Sequence, residues 1–369
     1  MLQHLQTSQQ LDSSQYGQRH PHVLLCYKNF AANHHISHIG LGVSAMNNAK
    51  VLNRHGINAD VSAITSAANL VEILNSRPSI TDVVISAPWI SSPELAEIVL
   101  NFPRIDFAVN CHSNVGFLQA DRNAAPLLRQ YIELQQGTWN FSVAGNSSKF
   151  VLWMRAAFGA PCSYLPNMYN VDYATDSATP LHRGGVLRIG SFGATRPQKN
   201  IMSAAGAALE IHEELKMDTE FWVSTGRVDG GNSILESVRG LVSDIPGFTL
   251  KELKWTTWPN FRALVRKMHL MIQVSYTESF NMVTADGVAV GVPSVVSGAI
   301  PWAPDYWVAH FDDVGDIARV GRQLITDPQA SKDGLYALEH YNRDSFSAWR
   351  KFLKSAHVEY DMLIPNALH

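Results

Sequence analysis

Short apolar runs of strand length alternate with helix-length stretches along nearly the whole chain. "HVLLCYK" (22–28) precedes a helical "VSAMNNAKVLNRHG" (43–56) that Gly56 stops. "NADVSAI" (58–64) and "SITDVVISAP" (79–88) follow, then a helical "PELAEIVLNF" (93–102) and the strand "IDFAVNCHS" (105–113). Strands that are apolar without alternation are covered on both faces, and helices between them supply the cover. That pattern predicts an α/β fold with mainly parallel sheets. "FSVAGN" (141–146) and "CSYLPN" (162–167) read as further short strands around the helix "SSKFVLWMRAAFG" (147–159).

The pattern then breaks. "NVDYATDSATPLHRGG" (170–185) is polar and carries Pro180, Gly184 and Gly185, as an interdomain linker would. A second series begins with the strand "VLRIGSFG" (186–193) and the helix "NIMSAAGAALEIHEEL" (200–215). "TEFWVSTG" (219–226), "HLMIQVSY" (269–276) and "PSVVS" (293–297) read as strands, "WPNFRALVRKM" (258–268) and "VGDIARVGRQLITD" (314–327) as helices. In "DSFSAWRKFLKSAHVEYDML" (344–363), Phe346, Trp349 and Phe352 form one apolar helical stripe, followed by Leu353 and Ala356. The expected organisation is a flexible tail (1–20), a first Rossmann-like domain (21–175), a second (185–340), and a final helix (341–369) returning to the first. The 369 residues exceed what one core commonly uses, and 46% hydrophobic residues suffice for two.

Bulk charge decides little: a formal net charge of −3 advertises no polyanion-binding surface overall and leaves a local basic patch open. Cys26, Cys111 and Cys162 are widely spaced with no CxxC pair, which reads as buried free thiols in a reducing compartment. No segment approaches the roughly 18 continuous apolar residues of a membrane span, and the Gln- and Ser-rich start has no signal-like apolar core. A cytoplasmic location is the expectation.

Two stretches carry chemistry. In "GSFGATRPQKN" (190–200) a strand ends in a turn at Gly193, Arg196 and Lys199 follow, and a helix starts. Helix N-termini at the carboxyl ends of parallel strands bind phosphate, and the cations would add charge-assisted contacts. The same residues also suit a solvated turn. In "SYTESFNMVTADGVAVGVPSVVS" (275–297), Glu278 leaves the end of a strand and a helix begins near Asn281, with Asp286 about two turns beyond Glu278. Glu278 can accept from hydroxyls, the amides of Asn281, Met282 and Val283 can cradle phosphate, and Asp286 can accept from a ribose hydroxyl. A dipole-favoured acid and a solvated Asp account for the pair equally well. Gly287 and Gly291 suit close packing. His34, His35 and His38 share a loop without carboxylate or Cys, so no metal is expected there. Trp302, Tyr306 and Trp307 read as packing residues or as a sugar-stacking wall.

Taken together these residues resemble the retaining GT-B glycosyltransferases often called family 4. The resemblance rests on Glu278-Ser279-Phe280, Asp286 and Gly291-Val292-Pro293, with support from Gly193 and Lys199, from "YLPNMYNVD" and from the His-bearing "AVNCHSN". It implies two Rossmann-like domains facing a cleft and transfer, with retention, from a nucleotide-diphosphate sugar to a hydroxyl. It implies no cofactor and no metal. His112, Arg196, Lys199 and Glu278 would act on the reacting groups. Gly193, Ser279, Phe280, Asn281, Met282, Val283 and Asp286 would bind donor, and a loop with Gly40, Gly42 and His38 would face acceptor. Three departures stand out: Asp286 replaces a usual Glu, Ala194 replaces a usual Arg, and Gly40-Leu41-Gly42 replaces a Gly-Gly pair. The acceptor is left open among glycan, small molecule and modified nucleic-acid base. A glycoside hydrolase, which also uses two carboxylates, and a nonenzymatic nucleotide-sugar-binding scaffold are the competing readings.

Overall fold

The structure is a computed structural model, and it describes residues 20–29, 39–119, 123–172, 185–226, 232–254 and 256–354. The first sheet is formed by β1 (His22–Lys28), β2 (Asn58–Ile64), β3 (Asp82–Ser86), β4 (Asp106–Cys111), β5 (Phe141–Gly145) and β6 (Ser163–Tyr164). Its order is β2-β1-β3-β4-β5-β6, and every pairing is parallel. The second sheet holds β7 (Leu187–Ser191), β8 (Thr219–Ser224), β9 (Phe248–Leu253), β10 (Leu270–Gln273) and β11 (Ser294–Val296). Its order is β11-β10-β7-β8-β9, again all parallel. Both sheets therefore have a switch point where the strand order reverses, between β1 and β3 in the first and between β7 and β10 in the second. In such sheets ligands bind at the carboxyl ends beside that point.

The helices are α1 (Ile39–Arg54), α2 (Ala67–Ser76), α3 (Ser92–Asn101), α4 (Val115–Leu118), α5 (Ala124–Gly137), α6 (Ser148–Phe158), α7 (Ile201–Leu215), α8 (Ser233–Val242), α9 (Trp258–Val265), α10 (Met282–Ala289), α11 (Val314–Thr326) and α12 (Ala330–Phe352). None of the described helices is long and apolar enough to cross a membrane. α2, α4, α5, α8 and β9 lie where the sequence pattern predicts nothing. β9 is an edge strand in which Phe248 alone is buried, so its apolar signal is weak. α5 carries Pro126 in its first turn, where a missing N–H costs nothing.

The final helix begins earlier than the sequence pattern predicts. It starts at Ala330 rather than in the 341–344 region, because Ser331, Lys332, Asp333 and Gly334 hide its first turns in polar sequence. Gly334 is there for room: a Cβ would lie 2.4 Å from the Trp307 ring. Its other end returns to the first domain as expected. Phe346, Trp349 and Leu353 are buried with Val23, Leu25 and Leu52. Ala356 lies outside the described residues, as do the linker core 173–184 and the tail 1–19.

Between the sheets, the segment Leu165–Asn170 crosses as irregular backbone, and side-chain amides satisfy it. Asn48 Oδ1 accepts from Met168 N (2.6 Å) and Asn47 Oδ1 from Asn170 N (2.9 Å). Asn342 of α12 holds both sides of Tyr169, accepting from its N–H at 2.9 Å and donating to its carbonyl at 2.8 Å. Trp349 Nε1 donates to the Pro166 carbonyl (2.8 Å). Buried backbone groups need such partners, so α1 and α12 together fix the crossing segment. All three cysteines are free and buried, and burial pushes the Cys26 and Cys162 thiols up to about 12. Trp302 and Trp307 are buried core residues, and Trp302 stacks on Phe280 at 5.5 Å, which excludes the sugar-wall reading for both.

Candidate active site

The carboxyl ends of both sheets open onto one cavity of about 420 Å³, within the range of roughly 300–1,000 Å³ common for small-molecule sites. The first domain contributes Gly40, Ser44, His112, Asn146 and Asn167; the second contributes Gly193, Arg196, Lys199, Trp258, Glu278 to Val283, and Asp286. Apart from Gly42 and His38, every predicted site residue lines this cavity. His38 lies outside the described residues. Gly40 and Gly42 belong to the first turns of α1 and not to a loop, and Gly42 packs against Tyr27, whose ring stands 3.1 Å from where a Cβ would be.

The turn after β7 is built around Gly193. Its φ of +119° excludes most side chains, and a Cβ would press on Lys199 Cε at 3.2 Å. Arg196 and Lys199 sit at a 3-10 turn (Pro197–Lys199), one residue before α7. The cations are therefore on this turn and not on the helix start itself. Lys199 Nζ bonds Glu278 Oε1 at 2.5 Å, with both side chains 11% exposed. The two residues come from the strand ends on either side of the second switch point. Near-burial of an ion pair demands good geometry and further hydrogen bonds, and Asn281 Nδ2 supplies one to Glu278 Oε1 at 3.2 Å.

Asn281 then caps α10. It adopts a left-handed conformation (φ +66°), and its Oδ1 accepts from Thr284 N at 2.9 Å. The amides of Met282 and Val283 are left without an intrahelical partner and point from the positive end of the helix. Asp286 lies one turn inside α10, which starts at Met282 directly after its cap Asn281. Its Oδ1 accepts from Tyr169 Oη at 2.6 Å and Trp258 Nε1 at 2.8 Å. Burial pushes its carboxyl up to about 6, outweighing those bonds and the charge of Arg262.

Across the cleft, His112 follows β4. Burial lowers its pKa to about 4, so the ring is neutral near pH 7. Asn146 Nδ2 stands 3.4 Å from its Nδ1; with Nδ1 accepting, the proton of the neutral ring is on Nε2. Polar bonds also close the cleft: Ser279 Oγ donates to the His112 carbonyl (3.2 Å), Asn146 Nδ2 to Ser279 Oγ (3.2 Å), and Asn114 Nδ2 to the Glu278 carbonyl. Asn114, Asn146, Tyr169 and Trp258 are absent from the sequence-predicted set. Asn114 and Asn146 have a signal, since each is polar and closely follows a strand end. Tyr169 and Trp258 have none short of the tertiary contact.

No protein-family model and no curated protein sequence matches the chain. Solved structures do. An α-glucosyltransferase bound to UDP and a 13-mer DNA containing an HMU base superposes with a TM-score of 0.64 at 11% identity, covering 90% of this chain and 98% of that one. Anabaena Alr3699/HepE bound to UDP gives 0.59 at 11% identity, covering 90% and 99%. The fold is GT-B. S. aureus TarM, in a variant bound to UDP, fondaparinux and α-GlcNAc-glycerol, gives 0.56 at 14% identity. There the match covers 78% of this chain and spans 59% of the TarM chain. In this GT-B molecule the cavity lies in the cleft between the two sheets' carboxyl ends, and the predicted two-domain α/β architecture holds.

Proposed function

We propose that the protein is a glycosyltransferase that moves a sugar from a nucleoside-diphosphate sugar to an acceptor hydroxyl, with retention and without a metal ion. The observation that carries this reading is the Lys199–Glu278 pair at the second switch point, beside the open amides of α10 and opposite His112. UDP in the cited neighbours, one of them a named glucosyltransferase, supports it.

Charge is the chemical problem. As the glycosidic bond breaks, a diphosphate leaves and an oxocarbenium-like centre develops. Lys199, Arg196 and the Met282 and Val283 amides meet the leaving charge; preorganised donors of this kind are each worth about 3 kcal/mol of barrier. Their cationic set is what makes a metal unnecessary. Glu278 orients the donor sugar through its hydroxyls while holding Lys199 in place. His112, neutral, donates from Nε2 to the sugar or the phosphate. Asp286 accepts from ribose. Attack from the face the diphosphate leaves gives retention without an enzymic nucleophile. The cytoplasm, with its nucleotide sugars, is the proposed location.

The test is incubation with UDP-, GDP- and ADP-sugars in EDTA, reading nucleoside diphosphate release by mass spectrometry and product anomeric configuration by NMR. Release with one donor and an unchanged anomeric configuration supports the reading. Sugar release from glycans with no nucleotide present would establish a hydrolase instead. Binding with neither transfer nor donor hydrolysis would establish a scaffold.

A further inference from the structure

Asp286 presents one acceptor oxygen to the cavity, not two. Its Oδ1 already accepts from the Tyr169 hydroxyl (2.6 Å) and the Trp258 indole N–H (2.8 Å), which uses the two lone pairs of that oxygen. Oδ2 accepts from no described residue, and Asp286, a buried residue, lines the cavity. The two donors are themselves fixed. Tyr169 is gripped by Asn342 on its N–H and its carbonyl, and its ring meets Trp258 edge-on at 6.5 Å. Trp258 carries the Arg262 guanidinium on its face at 5.4 Å. An aspartate has no spare methylene with which to turn both oxygens outward while keeping these bonds.

We infer that the ribose site reads a single hydroxyl, and that Tyr169 and Trp258 are the positioning residues that impose this by occupying Oδ1. The inference rests on the reading of the cavity as a nucleotide-sugar site. Its consequence is a substrate class: nucleotides lacking the unread hydroxyl, including one of the two deoxy series, bind as well as the ribonucleotide. Tyr169 lies in the segment that crosses between the sheets, so the same bond ties sugar-nucleoside recognition to the geometry of the cleft.

Isothermal titration of the full chain with UDP, GDP and ADP identifies the tightest nucleoside diphosphate. That one is then compared with its 2′-deoxy and 3′-deoxy forms. Loss of a hydrogen bond to a charged group lowers affinity about 10- to 100-fold. The expected result is a loss of that size for one analogue and a change within about threefold for the other. A large loss for both means that two oxygens read the ribose; a loss for neither means that Asp286 does not read it. Either outcome overturns the inference while leaving the transferase reading standing. Binding of no nucleoside diphosphate would remove that reading, and this inference with it. Tyr169→Phe frees one lone pair on Oδ1, so the previously silent deletion should then cost about tenfold. A structural role alone would weaken all three nucleotides alike, and an unchanged ratio between them would overturn the assignment of Tyr169.

Discussion

Replacing Asp286 with asparagine should stabilise the protein above about pH 6. Burial raises this carboxyl from its ordinary 3.8 to about 6, so the folded chain keeps a proton that the unfolded chain releases as pH rises through 4. A folded state that binds the extra proton loses stability with rising pH, at about 1.4 kcal/mol per pH unit across that window. Over the two pH units between about 4 and 6 the ionised carboxylate comes to cost about 3 kcal/mol, a cost that then stays constant at higher pH. In Asp286→Asn the side-chain amide oxygen would accept from Tyr169 and Trp258 with no charge to desolvate. Urea unfolding of both proteins at several pH values between about 4.5 and 7.5 measures the difference, with other titrating groups cancelling. The variant should gain on the wild type as pH rises to about 6 and stay ahead. A gap that shrinks or reverses as pH rises would mean instead that Tyr169, Trp258 and Arg262 outweigh burial and favour the ionised form. Stability gained at the cost of donor affinity is the usual sign of an acid kept for its ligand.

Lys199→Ala should lower transfer by roughly 10²- to 10³-fold, and also cost about 3 kcal/mol in urea unfolding because Glu278 loses its partner in a nearly buried site. Adding Glu278→Gln should restore stability but not turnover, which a folded double variant checks directly. The pH profile of turnover should show no break near 6.5 from His112, whose ring titrates at about 4; such a break, removed by His112→Asn, would contradict the neutral assignment. Gly334→Ala should lower stability by about 1–3 kcal/mol, since the added carbon meets the Trp307 ring at 2.4 Å, with nucleotide affinity unchanged by titration. Asn342→Ala removes both bonds that hold the Tyr169 backbone and should cost about 1–3 kcal/mol, read as a lower urea midpoint.

Strands whose two faces are both covered were legible in the sequence. β3 is buried at every residue, and the short, β-branched "DVVIS", closed by Pro88, reads as a strand. Edge strand β9 was not, because one face and one side of "FTLKEL" meet water and its polar residues break the apolar run. The start of α12 was hidden for a similar reason: the polar Ser331 to Asp333 dominate local composition, while Ala330 and Gly334 face the core. In the site, whatever depends on local chain geometry could be read. Gly193 signals a tight turn, and Glu278 with Asn281 signals a strand end followed by a helix start. What depends on partners distant in sequence could not. Nothing near Asp286 in the chain says that Tyr169, 117 residues away, takes one of its oxygens. The sequence likewise places Lys199 and Glu278 in separate motifs, and only the order β10-β7 makes them neighbours.

A thermal-shift panel of the wild type and Lys199→Ala against UDP, GDP, ADP, TDP and their common sugar conjugates tests the nucleotide site itself. A ligand that binds only the folded state at 100 times its dissociation constant adds about 2.7 kcal/mol, a readable rise. Tm should rise with one nucleotide series, and the rise should be lost in the folded Lys199→Ala protein. No rise with any nucleotide, or a rise that the substitution leaves intact, would rule out a donor site built on Lys199.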